Sequence, residues 1–91
     1  MTQKKFVEPP ANLPAAYEIP DAAAIQALAF GTATPDQQRR ALEWIVHSAC
    51  GTYDSDYRSN DREHAYVSGR RFVGLQIVKM TKLNLGKLKK E

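Results

Sequence analysis

Proline is concentrated at the start of this chain, and this placement restricts where a packed fold can form. Four of the five prolines lie within the first 20 residues, at Pro9, Pro10, Pro14 and Pro20. A proline has no backbone N–H to donate, and it biases the residue before it away from the α-helical region. We therefore predict an extended N-terminal arm over residues 1–20.

The arm carries more apolar side chains than a purely solvated linker is expected to contain. They are Phe6, Val7, Leu13, Tyr17 and Ile19. Extended peptides that bind along another surface place such side chains in its pockets. We predict that the arm lies along a partner or along the chain's own helices, with Phe6, Leu13 and Tyr17 as partner-binding residues.

The length available for a core is short. Of the 91 residues, about 60 to 65 remain once the arm and the lysine-rich end are set aside, which is a marginal size for a stable core. We therefore expect several symmetric copies to associate, or the protein to dock on a larger one.

Composition also bears on the environment of the protein. Cys50 is the single cysteine, so no internal disulfide can form, and a reducing compartment is the simpler expectation. The longest apolar segment, residues 22–30, is shorter than the roughly 18 to 20 residues that cross a bilayer. We expect no membrane span.

The same alanine-rich segment, residues 22–30, predicts a short first helix. Asp21 is placed to cap its N-terminus, because an aspartate side chain accepts hydrogen bonds from the first free N–H groups. Gly31 suits the left-handed position that often follows a helix.

The second helix has a sharper start signal. Thr34, Pro35 and Gln37 supply an N-cap, a proline in the first turn and the partner residue of a capping box. Apolar residues then recur at helical spacing, and charged residues fall on the opposite side. Gly51 is expected to end this helix.

A turn-rich stretch, residues 51–60, has no periodicity and predicts a loop. Asn60 and Glu63 repeat the capping pattern after it and open a third helix over residues 61–83. We expect the apolar residues of this helix to contribute to the core: Ala65, Tyr66, Phe72, Val73, Ile77, Val78 and Met80.

Together these elements predict an all-α protein. Its helical domain, residues 21–83, would consist of the short helix and an antiparallel helical hairpin formed by the second and third helices. The extended proline-rich arm, residues 1–20, precedes this domain, and a lysine-rich tail, residues 84–91, follows it.

The basic character of the chain belongs to its end. The formal net charge is +3, and from Lys79 onward five lysines against one glutamate give +4, so the preceding residues sum to −1. A basic tail keeps a terminus solvated, or binds an acidic protein surface or nucleic acid. The candidate phosphate contacts are Lys79, Lys82, Lys87, Lys89 and Lys90.

A Gly-Arg-Arg segment inside the third helix is the most informative local pattern. Gly69 and Gly74 each cost about 0.8 to 1 kcal/mol of helix stability relative to alanine, so we assign them to close helix packing or a kink. Arg70 and Arg71 are candidates to bind a carboxylate or a phosphate of a partner. The alternative is that both pair within the chain, with the acidic loop over residues 54–61.

Tyrosines surround this loop and admit two functions. Tyr53 and Tyr57 could stack on nucleic-acid bases beside an arginine, or they could anchor a protein interface. We favour the interface and place both among the partner-binding residues.

No constellation for catalysis, metal binding or a cofactor is complete. His47 and Cys50 have the spacing of half a metal site, but zinc needs three or four ligands, and His64 is the only other strong candidate. A calcium-binding loop that begins at Asp54 fails, because Ala65 stands where the bidentate glutamate belongs. Cys50 beside a histidine lacks a third, orienting group. We predict a non-enzymatic protein without a cofactor.

Several segments occur in a fixed order along the chain. They are Cys50-Gly51-Thr52-Tyr53, then Tyr57, then Gly69-Arg70-Arg71-Phe72-Val73-Gly74-Leu75. With an upstream Thr-Pro-Asp helix start and an Ala-Leu-Glu-Trp stretch, they resemble the signature of the Bordetella phage "Bbp-nineteen-like" domain, a family of small tailed-phage proteins. The resemblance covers about residues 36–80. It implies a phage genome and a role near the head, portal or tail, and it implies no catalytic residue.

The leading expectation is a bacteriophage structural or assembly protein that docks on larger virion proteins. It would be assembled in the bacterial host cytoplasm and localised in the virion. The alternative is a small nucleic-acid-binding accessory factor in which Arg70, Arg71 and the lysine-rich tail contact phosphates.

Overall fold

The fold is all-α, as the sequence predicts. A computed structural model describes residues 10–88, and no strand forms in that range. The elements in chain order are α1 (Ile19–Ala29), α2 (Pro35–Glu43), a π-helix (Trp44–Ala49), α3 (Asp61–Lys82) and a short α4 (Leu85–Leu88).

Helix α1 begins three residues earlier than the alanine-rich segment suggests. Its N-cap is Glu18, and Asp21 occupies the third helical position, where its carboxylate accepts from the Glu18 N–H at 2.8 Å. Pro20 lies in the first turn, where a missing N–H costs nothing. The assignment of Asp21 as N-cap is therefore wrong, because Glu18 and Asp21 form a reciprocal capping box that moves the start of the helix to Ile19.

The end of α1 agrees with the sequence. Gly31 adopts φ +72°, the left-handed region in which glycine has no steric penalty. The N–H of Thr32 bonds to the carbonyl of Ala27 at 2.9 Å, and that of Gly31 bonds to the carbonyl of Leu28 at 3.2 Å. These two bonds form a Schellman motif, which satisfies the carbonyls left free at the helix end.

Helix α2 starts at the predicted capping box. The Thr34 hydroxyl accepts from the Gln37 N–H at 3.2 Å, and the Gln37 side chain accepts from the Thr34 N–H at 3.0 Å. The helix then widens into the π-helix, in which Cys50 donates to the carbonyl of Ile45 at 2.9 Å. Gly51 follows with φ +58° and ends the helical run, as expected.

Helix α3 follows the predicted loop. The Asn60 side chain accepts from the N–H groups of Arg62 and Glu63, at 2.9 and 3.1 Å. The Glu63 carboxylate instead lies 3.2 Å from the Arg58 guanidinium. The helix ends at Lys82, with Leu83 as its C-cap. The short helix α4 occupies the first part of the predicted tail.

The packing is made by small side chains. Helix α1 packs against α2, and α3 packs against the π-helix. The second helix predicted from the sequence extends to Gly51 and therefore includes the π-helix, and this part of it packs against α3. The buried apolar residues of the described chain are Ala24, Ala41, Val46, Cys50 and Val67. Side chains of this size bury little apolar surface, so the core contributes modestly to stability.

Much apolar surface of the described residues stays outside this core. Phe30, Phe72 and Met80, for example, are 79%, 60% and 69% exposed.

Asp21 also ties α1 to α2, because Arg40 Nε donates to its carboxylate at 2.8 Å. The hydrogen bond from the Glu18 backbone is the largest cause that lowers the pKa of Asp21; burial opposes it in part, and the hydrogen bond and charge of Arg40 lower the pKa further. A lowered pKa means that the carboxylate form is favoured in the folded state. This contribution to stability is present above the unfolded pKa, near 4, and is lost as the pH falls through the folded pKa.

We expect Asp21→Asn to lower the melting temperature at pH 7, and we expect the difference from the parent to shrink as the pH falls below about 4. Circular dichroism melts across an acid series measure both effects. Asp36→Asn is the matched control. The Asp36 carboxylate also pairs with an arginine, Arg39, at 3.5 Å, but both side chains are exposed, so this pair contributes little to stability. Equal melting temperatures of parent and Asp21→Asn at pH 7 would contradict the stabilising role of the Asp21 carboxylate.

Candidate docking surface

The loop between the π-helix and α3 is fastened along α3 by polar contacts. Arg71 Nε donates to the Thr52 carbonyl at 2.9 Å, and the Ser68 hydroxyl donates to the Asp56 carboxylate at 2.9 Å. The His64 ring nitrogen Nδ1 lies 2.8 Å from the Asp56 carbonyl. The loop therefore holds a defined conformation without regular secondary structure.

Thr52 anchors the start of this loop. Its side chain is fully buried, and its hydroxyl donates to the Val46 carbonyl of the π-helix at 2.7 Å. Gly74 of α3 lies directly opposite, and a Cβ at that position would overlap the Thr52 hydroxyl and come within 2.8 Å of Cys50 Cβ. Gly74 thus permits a close approach between the loop and α3, whereas the sequence alone assigned it to helix packing or a kink.

The two arginines lie against the loop. Arg71 is half-buried and bonds to the Thr52 carbonyl, so its partner within the chain is a backbone oxygen, not a loop carboxylate. Arg70 is half-buried, and its guanidinium lies 5.9 Å from the centre of the Tyr66 ring, within the range of a cation–π interaction. Both contacts lie within the chain, but neither is the predicted pairing with a carboxylate of the acidic loop.

The described part of the arm lies beside the helices. Trp44 Nε1 donates to the Ala16 carbonyl at 2.9 Å. Leu13 lines an open groove of about 300 Å³ together with Arg70 and loop residues. Tyr17 lines a different apolar groove of about 280 Å³ with Trp44. The described arm is not extended throughout: the Leu13 N–H bonds to the Pro10 carbonyl at 3.4 Å in a turn, and the last two residues of the predicted arm belong to α1. The segment between them runs along the chain's own helices.

The loop tyrosines line neither of these two grooves. Tyr53 lies beside His47, with ring centres 5.0 Å apart, and lines a third groove of about 220 Å³. Tyr57 is 74% exposed. The structure therefore brings Leu13 and Arg70 to one groove, and it places Tyr17 and Tyr53 at separate ones.

The predicted phosphate contacts are partly placed. Lys79, Lys82 and Lys87 are exposed near the end of α3 and in α4. Lys82 also lines the groove beside Tyr53. The other two predicted lysines, Lys89 and Lys90, and the predicted arm residue Phe6 lie outside the described residues.

The outer face of α3 departs most from the sequence expectation. Tyr66, Phe72, Val73 and Met80, expected to contribute to the core, are 50%, 60%, 53% and 69% exposed. A Cβ at Gly69 would meet no atom within 4 Å, so the described chain shows no packing there. The signal for this face was the seven-residue spacing of Tyr66, Val73 and Met80, which periodicity alone cannot assign to a core or to an interface.

The described residues offer no complete metal site and no membrane-spanning helix. Between residues 10 and 88, no group of three or more His, Cys, Asp or Glu side chains is arranged to hold a metal ion. None of the helices in that range combines the length and the apolar character needed to cross a bilayer.

Comparison of the chain with protein-family models, with curated protein sequences and with solved structures found no match.

Proposed function

We propose that this chain is a non-enzymatic bacteriophage structural or assembly protein that docks on larger virion proteins of the head, portal or tail. The resemblance of residues 36–80 to a tailed-phage signature supports the phage assignment. The exposed apolar side chains beside the arm and the loop support docking. Together they support a protein that functions by binding other proteins.

The observation that carries the docking proposal is the exposure of large side chains on a fixed support. Leu13, Tyr17, Tyr53 and Tyr57 are 53%, 69%, 62% and 74% exposed. The arm is held by the bond from Trp44, and the loop is held by its bonds to α3. Aromatic residues on a prearranged backbone lose little conformational entropy on binding, and they are enriched at protein interfaces.

The proposal is tested by counting copies of the chain in purified particles. In the phage that encodes it, quantitative mass spectrometry should detect a fixed stoichiometry in mature virions or in assembly intermediates. Particles carrying Tyr53→Ser and Tyr57→Ser together should contain at least about tenfold fewer copies, because interface aromatics are common binding hot spots.

Phe30→Ser is the matched control, because Phe30 is 79% exposed at the end of α1, outside the arm and loop. Its particle content should equal that of the parent. Absence of the chain from both virions and intermediates would sink the proposal, and equal incorporation of the double variant would remove the tyrosines from the docking surface.

The second candidate function is a nucleic-acid-binding accessory factor, favoured by the exposed Lys79, Lys82 and Lys87. Arg70 and Arg71 support it less, because their side chains are already occupied against the loop and Tyr66. DNA titration at two salt concentrations discriminates the two functions. Binding that weakens steeply with salt, and is lost when the three lysines are changed to glutamine, would support this alternative.

A further inference from the structure

The outer face of α3 is apolar and open to solvent. Tyr66, Phe72, Val73 and Met80 are each at least half exposed. On the helix they surround Gly69 and Gln76, and none of these six residues is charged. Such a face on a helix of 22 residues is unusual for a protein that stays alone in water.

The spacing along this face suits a second helix. Tyr66, Val73 and Met80 follow one another at seven residues, which is two helical turns, and Gly69 and Gln76 fall between them. In a heptad pattern the three apolar residues take the a positions, while a glycine and a glutamine take the d positions. The row from Tyr66 to Met80 is about 21 Å long.

Gly69 supplies an independent observation. It lowers the stability of α3 by about 1 kcal/mol relative to alanine, yet the space around it is open. Gly74, in contrast, is required by the contact with Thr52. A glycine in the middle of an exposed apolar face lets the backbone of another helix approach closely. No contact within the described residues explains the glycine at position 69, but such an approach would.

We propose that this face pairs with the same face of a second copy of the chain, with the two α3 helices antiparallel. The first turn of α3 carries Asp61, Arg62 and a Glu63 that is already paired with Arg58, whereas its last turn carries Lys79 and Lys82. Antiparallel pairing brings opposite helix-dipole ends together and sets Asp61 towards the lysines of the other copy, whereas parallel pairing brings the lysines of both copies together.

The area available fits a dimer of moderate affinity. The four large side chains expose roughly 400 to 500 Å² per copy. Two copies would bury roughly 900 Å² before the flanking residues are counted, close to the 1,000 Å² or so expected of a specific interface. We expect a dissociation constant of about 1 to 100 μM. This surface differs from the arm and the loop, so the dimer does not depend on the proposed docking function.

Sedimentation equilibrium of the full chain over a range of concentrations tests the pairing. The mass should rise from that of the 10.2 kDa monomer towards twice that value. Val73→Glu should raise the dissociation constant at least about 100-fold, because it places an unpaired charge in the interface. Ile19→Glu is the control: Ile19 is 83% exposed in the first turn of α1, and this variant should dimerise like the parent.

Circular dichroism establishes that both variants keep the parental helix content, as expected for changes at exposed positions. A parent that stays monomeric up to millimolar concentration overturns the proposal, and so does a folded Val73→Glu variant that dimerises normally.

Cysteine cross-linking tests the orientation. Tyr66 and Met80 lie seven residues on either side of Val73, so an antiparallel pair centred there places Tyr66 of one copy opposite Met80 of the other. Tyr66→Cys protein mixed with Met80→Cys protein should form a mixed disulfide faster than either protein forms one alone. The native Cys50 is buried and does not compete. Preferential cross-linking within each single variant would overturn the antiparallel arrangement.

Discussion

Gly74→Ala is expected to lower the free energy of unfolding by about 2 to 3 kcal/mol. The added methyl group would overlap the Thr52 hydroxyl and crowd Cys50, so the loop must move away from α3. This cost exceeds the gain of about 1 kcal/mol that alanine brings to a helix interior. Urea denaturation followed by circular dichroism measures the difference, which is large for a domain with so small a core.

Gly69→Ala is the matched control in the same helix. A Cβ there meets nothing within 4 Å, so only the helix-propensity gain of about 0.5 to 1 kcal/mol should remain. The measurement belongs at a protein concentration below about 1 μM, under the expected dissociation constant, where association contributes little. The same substitution at two positions five residues apart should therefore change the free energy of unfolding in opposite directions. A change in the same direction would contradict the packing described around Gly74.

Thr52→Ala is expected to cost about 2 kcal/mol of unfolding free energy, the second large effect. The Thr52 side chain is fully buried and combines a hydroxyl bonded to the Val46 carbonyl with a methyl group in the core. Thr52→Val removes the hydroxyl alone and should cost about 1 kcal/mol. Thr52→Ser removes the methyl group alone and should cost a similar amount.

The double variant connects the two experiments. Because the methyl group added by Gly74→Ala overlaps the Thr52 side chain, Thr52→Ala should relieve part of that overlap. The combined loss should be smaller than the sum of the single losses by at least about 0.5 kcal/mol. Strict additivity would show that the loop does not contact α3 through this pair.

Helix starts were predictable from sequence where the signal is local. Thr34 and Gln37 form the expected capping box, and Asn60 caps α3, because each bond joins residues two or three positions apart. The start of α1 was misplaced by the same logic. Glu18 and Asp21 are both acidic and three residues apart, so either could be read as the N-cap. Pro20 suggested that the arm continues to that point, whereas it lies in the first turn of the helix that Glu18 caps.

The π-helix and the exposed face of α3 could not be predicted from sequence. Residues Trp44–Ala49 have ordinary helical composition, and their wider turn is accompanied by the contact of Thr52 with Val46, a relation that no short-range pattern encodes. Similarly, Phe72 and Val73 have the periodicity of core residues. The buried positions of α3 are Val67 and Gly74, and the contact of Gly74 with the loop is a tertiary one that periodicity does not encode.

The sequence indicated which residues belong to the candidate docking surface, but not which of them lie together. Leu13 and Arg70 share a groove, as an arm lying on the helices would allow, but Tyr17 and Tyr53 line separate grooves. Pairing of the arginines with loop carboxylates was a natural expectation for a loop rich in aspartate. Arg71 found a backbone carbonyl instead, because its register on α3 places it opposite Thr52.

The contact between α1 and α2 has a consequence for mutational tolerance. Ala24 and Ala41 are completely buried, and helices that meet through alanine leave no volume for a larger side chain. In a deep mutational scan, these two positions should accept little beyond glycine and serine, while the neighbouring large residues Phe30 and Leu42 vary more freely. Two small alanines are thus expected to restrict substitution at this helix contact more than the larger exposed residues do.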